Sequence, residues 1–346
     1  NIQHRYEYKQ SGYSGKLLFR VEYYFLKLYR NCHFFTAMKL TSQERVNRAF
    51  NREEHDRVPR HESFWVDTIN NWTKEGLEGG EEGARQKLGS DLMKINVFHW
   101  SSPYPGRKDV IAEDELTVTY IDEWGGKVRY FKNRQTTPEH VGWECDSVDV
   151  WRSKIKPAIL SEGVNIDIDY SLDLFRKARD AGKWCYVCGG EAFEILRRLL
   201  GDVESLMAMV EQPDWISEIA DVTTDAALKN FEALYDAGAE VDGMWMFGDM
   251  AFNHSTMCSP SLYKELIWPS HKKMCDWAHA HGMKFIYHTD GDVNGVLDLY
   301  VEAGFDCLQP LECKANMDIR KLVPIYGRDL LFFGNVNVMK MIDNNL

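Results

Sequence analysis

Nothing in this chain approaches the run of roughly 18 apolar residues that a membrane-spanning helix requires. Positive charge is also in deficit: 41 Lys and Arg stand against 53 Asp and Glu, a formal net charge of −12. That balance argues against nucleic acid or an anionic membrane surface as the main partner, although local arginines could still serve an anionic substrate. The eight cysteines show no regular spacing, which argues against a disulfide framework and fits reduced thiols in a cytoplasmic setting. A phosphate loop is missing too, because Gly189-Gly190 lacks a downstream Gly-Lys-Ser/Thr. Cys185 and Cys188 form a lone Cys-x-x-Cys on a predicted strand, where an offset of three puts the sulfurs on opposite faces and favours core packing. His279 and His281 lie about 200° apart around a helix, and they read as favourable contacts with its C-terminus rather than as metal ligands.

What the chain does have is a large core and repeated strand ends. Its 346 residues are 44% hydrophobic, enough for one (β/α) barrel or two smaller domains. Lys284-Phe285-Ile286-Tyr287 reads as an apolar strand that ends abruptly in His288-Thr289-Asp290-Gly291-Asp292. Alternation along a strand projects His288 and Asp290 to the same side. An imidazole beside a carboxylate at such a point makes two-thirds of a metal site or an acid/base pair.

The neighbouring stretches repeat the pattern. Val241–Phe247 stops at Gly248-Asp249, Phe305–Leu311 stops at Glu312, and Leu330–Phe333 stops at Gly334-Asn335. Helices separate them. One starts at the N-cap Ser259 with Pro260 and runs to Gly282, a second covers Val296 to Ala303, and a third covers Ile319 to Tyr326. Apolar strands alternating with helices indicate parallel β buried on both faces. In a closed barrel of this type the catalytic groups sit at the C-terminal strand ends, where Asp249, His288, Asp290, Glu312 and Asn335 fall. Asp and Asn at such places also cap helices or shape turns; neither role calls for His288.

The first 37 residues stand apart. They hold six Lys or Arg against Glu7 and Glu22, so the remainder is more acidic than the whole. No signal-peptide pattern is present, and the segment reads as a translated leader or weakly ordered arm, with a membrane-surface helix over 17–29 as the alternative. Met38 reads as the natural start, ahead of an N-cap at Thr41 with Glu44 as its capping-box partner. The expected organisation is therefore an N-terminal extension over 1–37 and a barrel over 38–346. Within the barrel, a helix covers Ser42 to Asn51 and a first strand runs through His61–Trp65. A helix or lid follows over 66–76, and a β-hairpin excursion occupies 108–135. Trp184–Gly190 forms another strand, followed by two long helices reaching about Gly238.

The order of these pieces resembles the uroporphyrinogen decarboxylase (URO-D) superfamily. Carrying the resemblance are Thr41-x-x-Glu44-Arg45 with Asp56-Arg57-Val58-Pro59, and Gly248-Asp249 followed by Ser259-Pro260-x-x-Tyr263. To these add His288-x-Asp290-Gly291, Gly304-Phe305-Asp306 leading to Pro310-x-Glu312, Met317-Asp318, and Gly334-Asn335. The resemblance implies a (β/α)8 TIM-type barrel. It also implies a last strand and helix beyond Asn335, so the expected barrel lacks its last β/α unit and exposes parallel strand edges that lower solubility.

Two chemistries follow from the resemblance. Decarboxylases of the superfamily bind a porphyrinogen through an Arg-Gln-Ala-Gly-Arg-Tyr stretch; here the stretch reads Arg60-His61-Glu62-Ser63-Phe64-Trp65 and offers only Arg60. The other branch contains zinc-dependent methyltransferases that exchange methyl groups with a corrinoid protein. Its thiol-directed members carry His-x-Cys-Gly where this chain has His288-Thr289-Asp290-Gly291, and the harder aspartate suits an oxygen substrate.

The leading expectation is a zinc-dependent methyltransferase acting between a small methylated substrate and a corrinoid carried by a partner protein. Its expected metal ligands are His288, Asp290 and Glu312, with one further ligand beyond Leu346, and its catalytic residues are His288, Asp290 and Asp249. His61, Glu62, Trp65, Trp245 and Asn335 would contact substrate, with Trp72 as a further wall residue, and a homodimer is compatible. The alternatives are a carboxy-lyase with Asp249 or Asp290 as central acid, and a non-catalytic barrel serving as a binding subunit.

Overall fold

The computed structural model describes residues 39–96, 101–133, 137–337 and 339–340. The chain divides after Leu40 into two compact units. The leader and the alternative helix read from 1–37 lie outside the described residues, and the fold below is that of the second unit.

In chain order the strands are β1 (Leu92–Lys94), β2 (Asp109–Glu113), β3 (Thr117–Ile121), β4 (Gly126–Phe131), β5 (Glu139–Trp143), β6 (Trp184–Gly190), β7 (Gly243–Phe247), β8 (Ala251–Phe252), β9 (Ser255–Thr256), β10 (Lys284–His288), β11 (Cys307–Gln309) and β12 (Leu331–Phe332). Six of them form one sheet in the order β1-β6-β7-β10-β11-β12, and each neighbouring pair is parallel. Strands that follow one another in this order, each joined by helices, have the topology of a TIM-type (β/α) barrel. Among the described residues the sheet stays open between β1 and β12.

Period-two alternation sorts the strands into two faces. Cys185, Val187, Met244, Met246, Phe285, Tyr287 and Leu308 face the helices and join the large core. Trp184, Tyr186, Ile286 and Cys307 face the barrel interior with Val46 and Phe50, and Cys188, Trp245 and Phe333 pack against them. The helix Ser42–Phe50 closes the N-terminal end. Its capping box is formed, with Glu44 N donating to Thr41 Oγ1 at 3.1 Å and Thr41 N to Glu44 Oε2 at 2.8 Å. Phe50 then stacks on Trp184 with centroids 5.7 Å apart, and Trp184 lies over Gly243, where a Cβ would come within 2.1 Å of the indole.

Several expected elements differ. His61–Trp65 is not a strand; the sheet begins at β1, which reads poorly in sequence because only Leu92 and Met93 are apolar. The 60–61 segment is tied beside β1 mainly through side chains: Asp91 N donates to Arg60 O at 2.7 Å, Arg60 N to Asp91 Oδ2 at 2.8 Å, and His61 bonds Ser90 and Tyr186. The range 108–135 holds not a lone hairpin but three strands of a four-stranded antiparallel sheet, β2-β3-β4-β5. Three helices rather than two connect β6 to β7, broken at Gly201 and at Pro213. The helix from Ser259 is also two, Pro260–Leu266 and Trp268–Ala280, because Pro269 sits in the first turn of the second.

Asp91 anchors this end of the barrel. It is fully buried and accepts from Arg45 Nη1 (2.7 Å), Arg57 Nη1 (2.7 Å), Ser42 Oγ (2.8 Å) and Arg60 N. Burial pushes its pKa up, but the hydrogen bonds from Arg57, Arg60 and Ser42 together hold it below the ordinary carboxylate value. Removing one partner of such a buried network strands the other charges. Asp91→Ala is expected to lower unfolding free energy by roughly 3–5 kcal/mol in urea titration; a loss below about 1 kcal/mol would show that the arginines find other partners.

Candidate metal centre at the barrel mouth

The register of β7 and β10 builds the site. Phe247 pairs with His288, and Gly248 N donates to His288 O at 3.1 Å. The two turns that follow therefore run side by side. Asp290 N donates to Asp249 Oδ1 at 3.2 Å and Met250 N to Thr289 Oγ1 at 3.1 Å, while Thr289 N reaches across to Gln309 O at 3.0 Å. The result brings together one ligand atom each from Asp249, His288 and Asp290, all within 4.8 Å of one another. His288 Nε2 stands 3.7 Å from Asp249 Oδ1.

The imidazole is aimed by Gln309. His288 Nδ1 contacts Gln309 Oε1, and an amide oxygen only accepts, so Nδ1 donates and Nε2 is the ring atom turned toward the carboxylates. Burial raises the pKa of Asp290; the charges of Asp249 and Glu312 add to that, against the opposing pull of His288. An imidazole and two crowded carboxylates are donors that suit a divalent cation, and a cation there would relieve the repulsion that holds Asp290 up. Glu312, an expected ligand, sits beside this group but is otherwise engaged: it accepts from Gly291 N at 3.0 Å and pairs with Lys314 at 3.0 Å.

The site borders a cavity of about 1000 Å³. His61, Glu62, Trp245 and His288 line it, together with Tyr186, Cys188, Phe247, Gln309, Glu312 and Phe333. A second pocket of about 330 Å³ reaches Asp290 from the far side and shares Glu312 and Lys314 with the first. Two expected substrate contacts are placed elsewhere. Trp65 is 57% exposed at the head of the helix Val66–Lys74, outside the cavity lining. Asn335 spends its amide on the main chain, donating to Leu311 O at 2.8 Å and to Met317 O, so it shapes the 311–317 loop. Trp72 packs on Phe64 and is likewise outside the lining.

Sequence reasoning overlooked Gln309 and Glu191. Gln309 is the one polar residue in the apolar stretch Cys307–Leu311, a signal that was there to read. Glu191 stands just past the end of β6 and so holds the same rim position as Asp249 and Asp290, yet it is fully buried. Cys188 lines the cavity, but burial pushes its thiol up to about 11, which keeps it protonated and unsuited as ligand or nucleophile near neutral pH.

With this geometry in view, comparison with known proteins adds the family. Residues 193–345 match the model of the uroporphyrinogen decarboxylase (URO-D) family. Over that segment the chain is similar to the URO-D family. A methyltransferase from Methanosarcina mazei superposes with a TM-score of 0.61 at 18% identity, over 86% of this chain and 83% of that chain. Such a likeness carries the fold, a TIM-type barrel. No curated protein matches the sequence.

In this barrel the imidazole of His61 is held between Ser90 Oγ and Tyr186 Oη, each at 3.0 Å. Burial, aided by the charge of Arg85 and opposed by Asp91, pushes its pKa down to about 3. The unfolded chain protonates near the ordinary 6.5, so between those values only the unfolded state takes up the proton and stability falls as pH drops. Between pH 7.5 and 5 the native chain should lose roughly 2 kcal/mol more than His61→Gln, by urea titration at each pH. Equal losses would place the ring in a wetter setting.

Proposed function

We propose that this chain is a metal-dependent methyltransferase of the URO-D superfamily, moving a methyl group between a small methylated substrate and a corrinoid carried by a partner protein. The observation that carries the reading is the cluster of Asp249, His288 and Asp290 within 4.8 Å, whose His288 lines a cavity of about 1000 Å³. His288 Nε2, Asp249 and Asp290 would hold the ion, with zinc as the favoured metal. When bound, it would supply electrostatic stabilisation of charge developing on the atom that loses its methyl.

The remaining roles belong to the chain. Gln309 fixes the tautomer of His288. Trp245, Phe247 and Phe333 form an apolar wall that limits water at the reacting face. His61 stays neutral and presents no cation to a substrate. The harder carboxylate donors, in place of thiolates, favour a substrate that presents oxygen.

The decarboxylase reading finds less support in the cavity. A many-carboxylate porphyrinogen needs fixed cations. Among the lining residues Arg85 is paired with Glu81 and Lys314 with Glu312, which leaves Lys94 as a further cation against the added negative charge of Glu62 and Glu82.

Metal analysis tests the proposal. The purified chain should carry about one zinc per polypeptide. His288→Ala should lose it, and methyl transfer to free cob(I)alamin should drop by at least a hundredfold. A metal-free native chain that turns over uroporphyrinogen would overturn this reading in favour of the carboxy-lyase.

A further inference from the structure

Behind the Gly248–Asp249 turn lies a set of polar side chains that the proposed chemistry does not use. Glu191, Tyr263, His271 and Tyr287 are all fully buried, at 0% exposure. Glu191 caps the helix Ala192–Leu200, accepting from Phe193 N at 2.8 Å and from Glu194 N at 3.2 Å, and it also accepts from His271 Nε2 at 2.8 Å. The other ring nitrogen, His271 Nδ1, is hydrogen-bonded with Tyr263 Oη at 2.8 Å, so both nitrogens are partnered. Burying these groups costs desolvation that an apolar core would avoid. Their position indicates what they secure.

Two contacts connect the set to the metal-ligand turn. Gly248 rests directly on Glu191: a Cβ there would fall 1.6 Å from Glu191 Oε1. Tyr287 Oη donates to Gly248 O at 2.9 Å and lies 3.5 Å from Glu191 Oε1. A phenol has one proton, so the shorter bond to the backbone takes it. Tyr287 immediately precedes His288 on β10 and points to the opposite face. One strand thus offers His288 to the cavity and grips the turn bearing Asp249 from behind.

We infer that Glu191, His271 and Tyr287 form a positioning network that fixes the Gly248–Asp249 turn against β10 and so holds Asp249 within reach of His288. The consequence for metal binding rests on the function proposed above; the fixing of the turn does not. Ligand-orienting hydrogen bonds of this kind typically change metal affinity by 10–100-fold when lost.

The test compares Tyr287→Phe with Tyr300→Phe, which removes a buried hydroxyl from the same ring cluster without touching a bond to Gly248. Hydrogen–deuterium exchange of a peptide spanning 247–252 reads the turn, whose Gly248 and Met250 amides are hydrogen-bonded. Competition for Zn²⁺ against a chromogenic chelator reads the site. Tyr287→Phe should exchange at least tenfold faster over 247–252 and bind Zn²⁺ about tenfold more weakly, while Tyr300→Phe matches the native chain in both. Unchanged exchange in Tyr287→Phe overturns the network, whatever happens to zinc. Faster exchange with unaltered zinc affinity overturns its role in placing Asp249. If the native chain binds no zinc, faster exchange still supports the fixed turn, and it is the metal reading that falls.

Discussion

The parallel alignment of β7 with β10 is the constraint on which the candidate site depends. Once Phe247 pairs with His288, the residues after each strand have little freedom: Gly248 N must find His288 O, and Asp249 and Asp290 arrive beside one another. A slip of one residue would turn His288 into the helix-facing core and Tyr287 into the cavity. Apolar pressure on both faces prevents it, because Phe285 and Tyr287 fill one core while Ile286 fills the other. The chemistry of the rim is thus placed by packing further down the same strands.

Charge is handled oppositely at the two ends of the barrel. At the N-terminal end, Asp91, Asp242 and Asp306 precede β1, β7 and β11, and each is matched by cations: Asp91 by Arg45 and Arg57, Asp242 by Arg179, Asp306 by Lys284. Backbone N–H groups complete the set, with Arg60, Cys185 and Phe285 donating. At the C-terminal end Asp249, Asp290 and Glu312 converge with, among the described residues, only Lys314 and His288 in salt-bridge range. Saturated acids stabilise, whereas unbalanced ones at the barrel mouth wait for a cation or a proton. That asymmetry makes the upper group a functional candidate and the lower one a structural one.

How far the sequence could be read follows from the same physics. Strands buried on both faces announce themselves by composition, so Lys284–His288 and Trp184–Gly190 appear at their expected places. The polar breaks after them were legible too, since nothing but a rim position explains a histidine there. Segments held by side chains defeat pattern reading. His61–Trp65 looked like a strand but is tied through Asp91, Ser90 and Tyr186, contacts that span long stretches of chain. Glu191 follows the glycine pair Gly189-Gly190, which carries no signal of its own; its partner His271 lies far away in sequence and meets it only in the fold. Asn335 occupied the right strand end but adopts a left-handed backbone with φ of 59°, which turns its amide toward carbonyls instead of the cavity.

Residues 287 and 288 draw these strands together. Period-two alternation gives consecutive residues different environments, so one strand can serve two layers at once. His288 works in a half-buried setting where an ion or substrate can reach it, whereas Tyr287 works in a dry one where a single hydrogen bond is strengthened by its surroundings. The dry layer cannot be softened without loosening the wet one, because both are fixed to the same five-residue strand. A buried acid–imidazole pair of no direct chemical use is therefore reasonable where it stands: its desolvation cost is offset by the rigidity it lends to a turn that a loop alone would leave free.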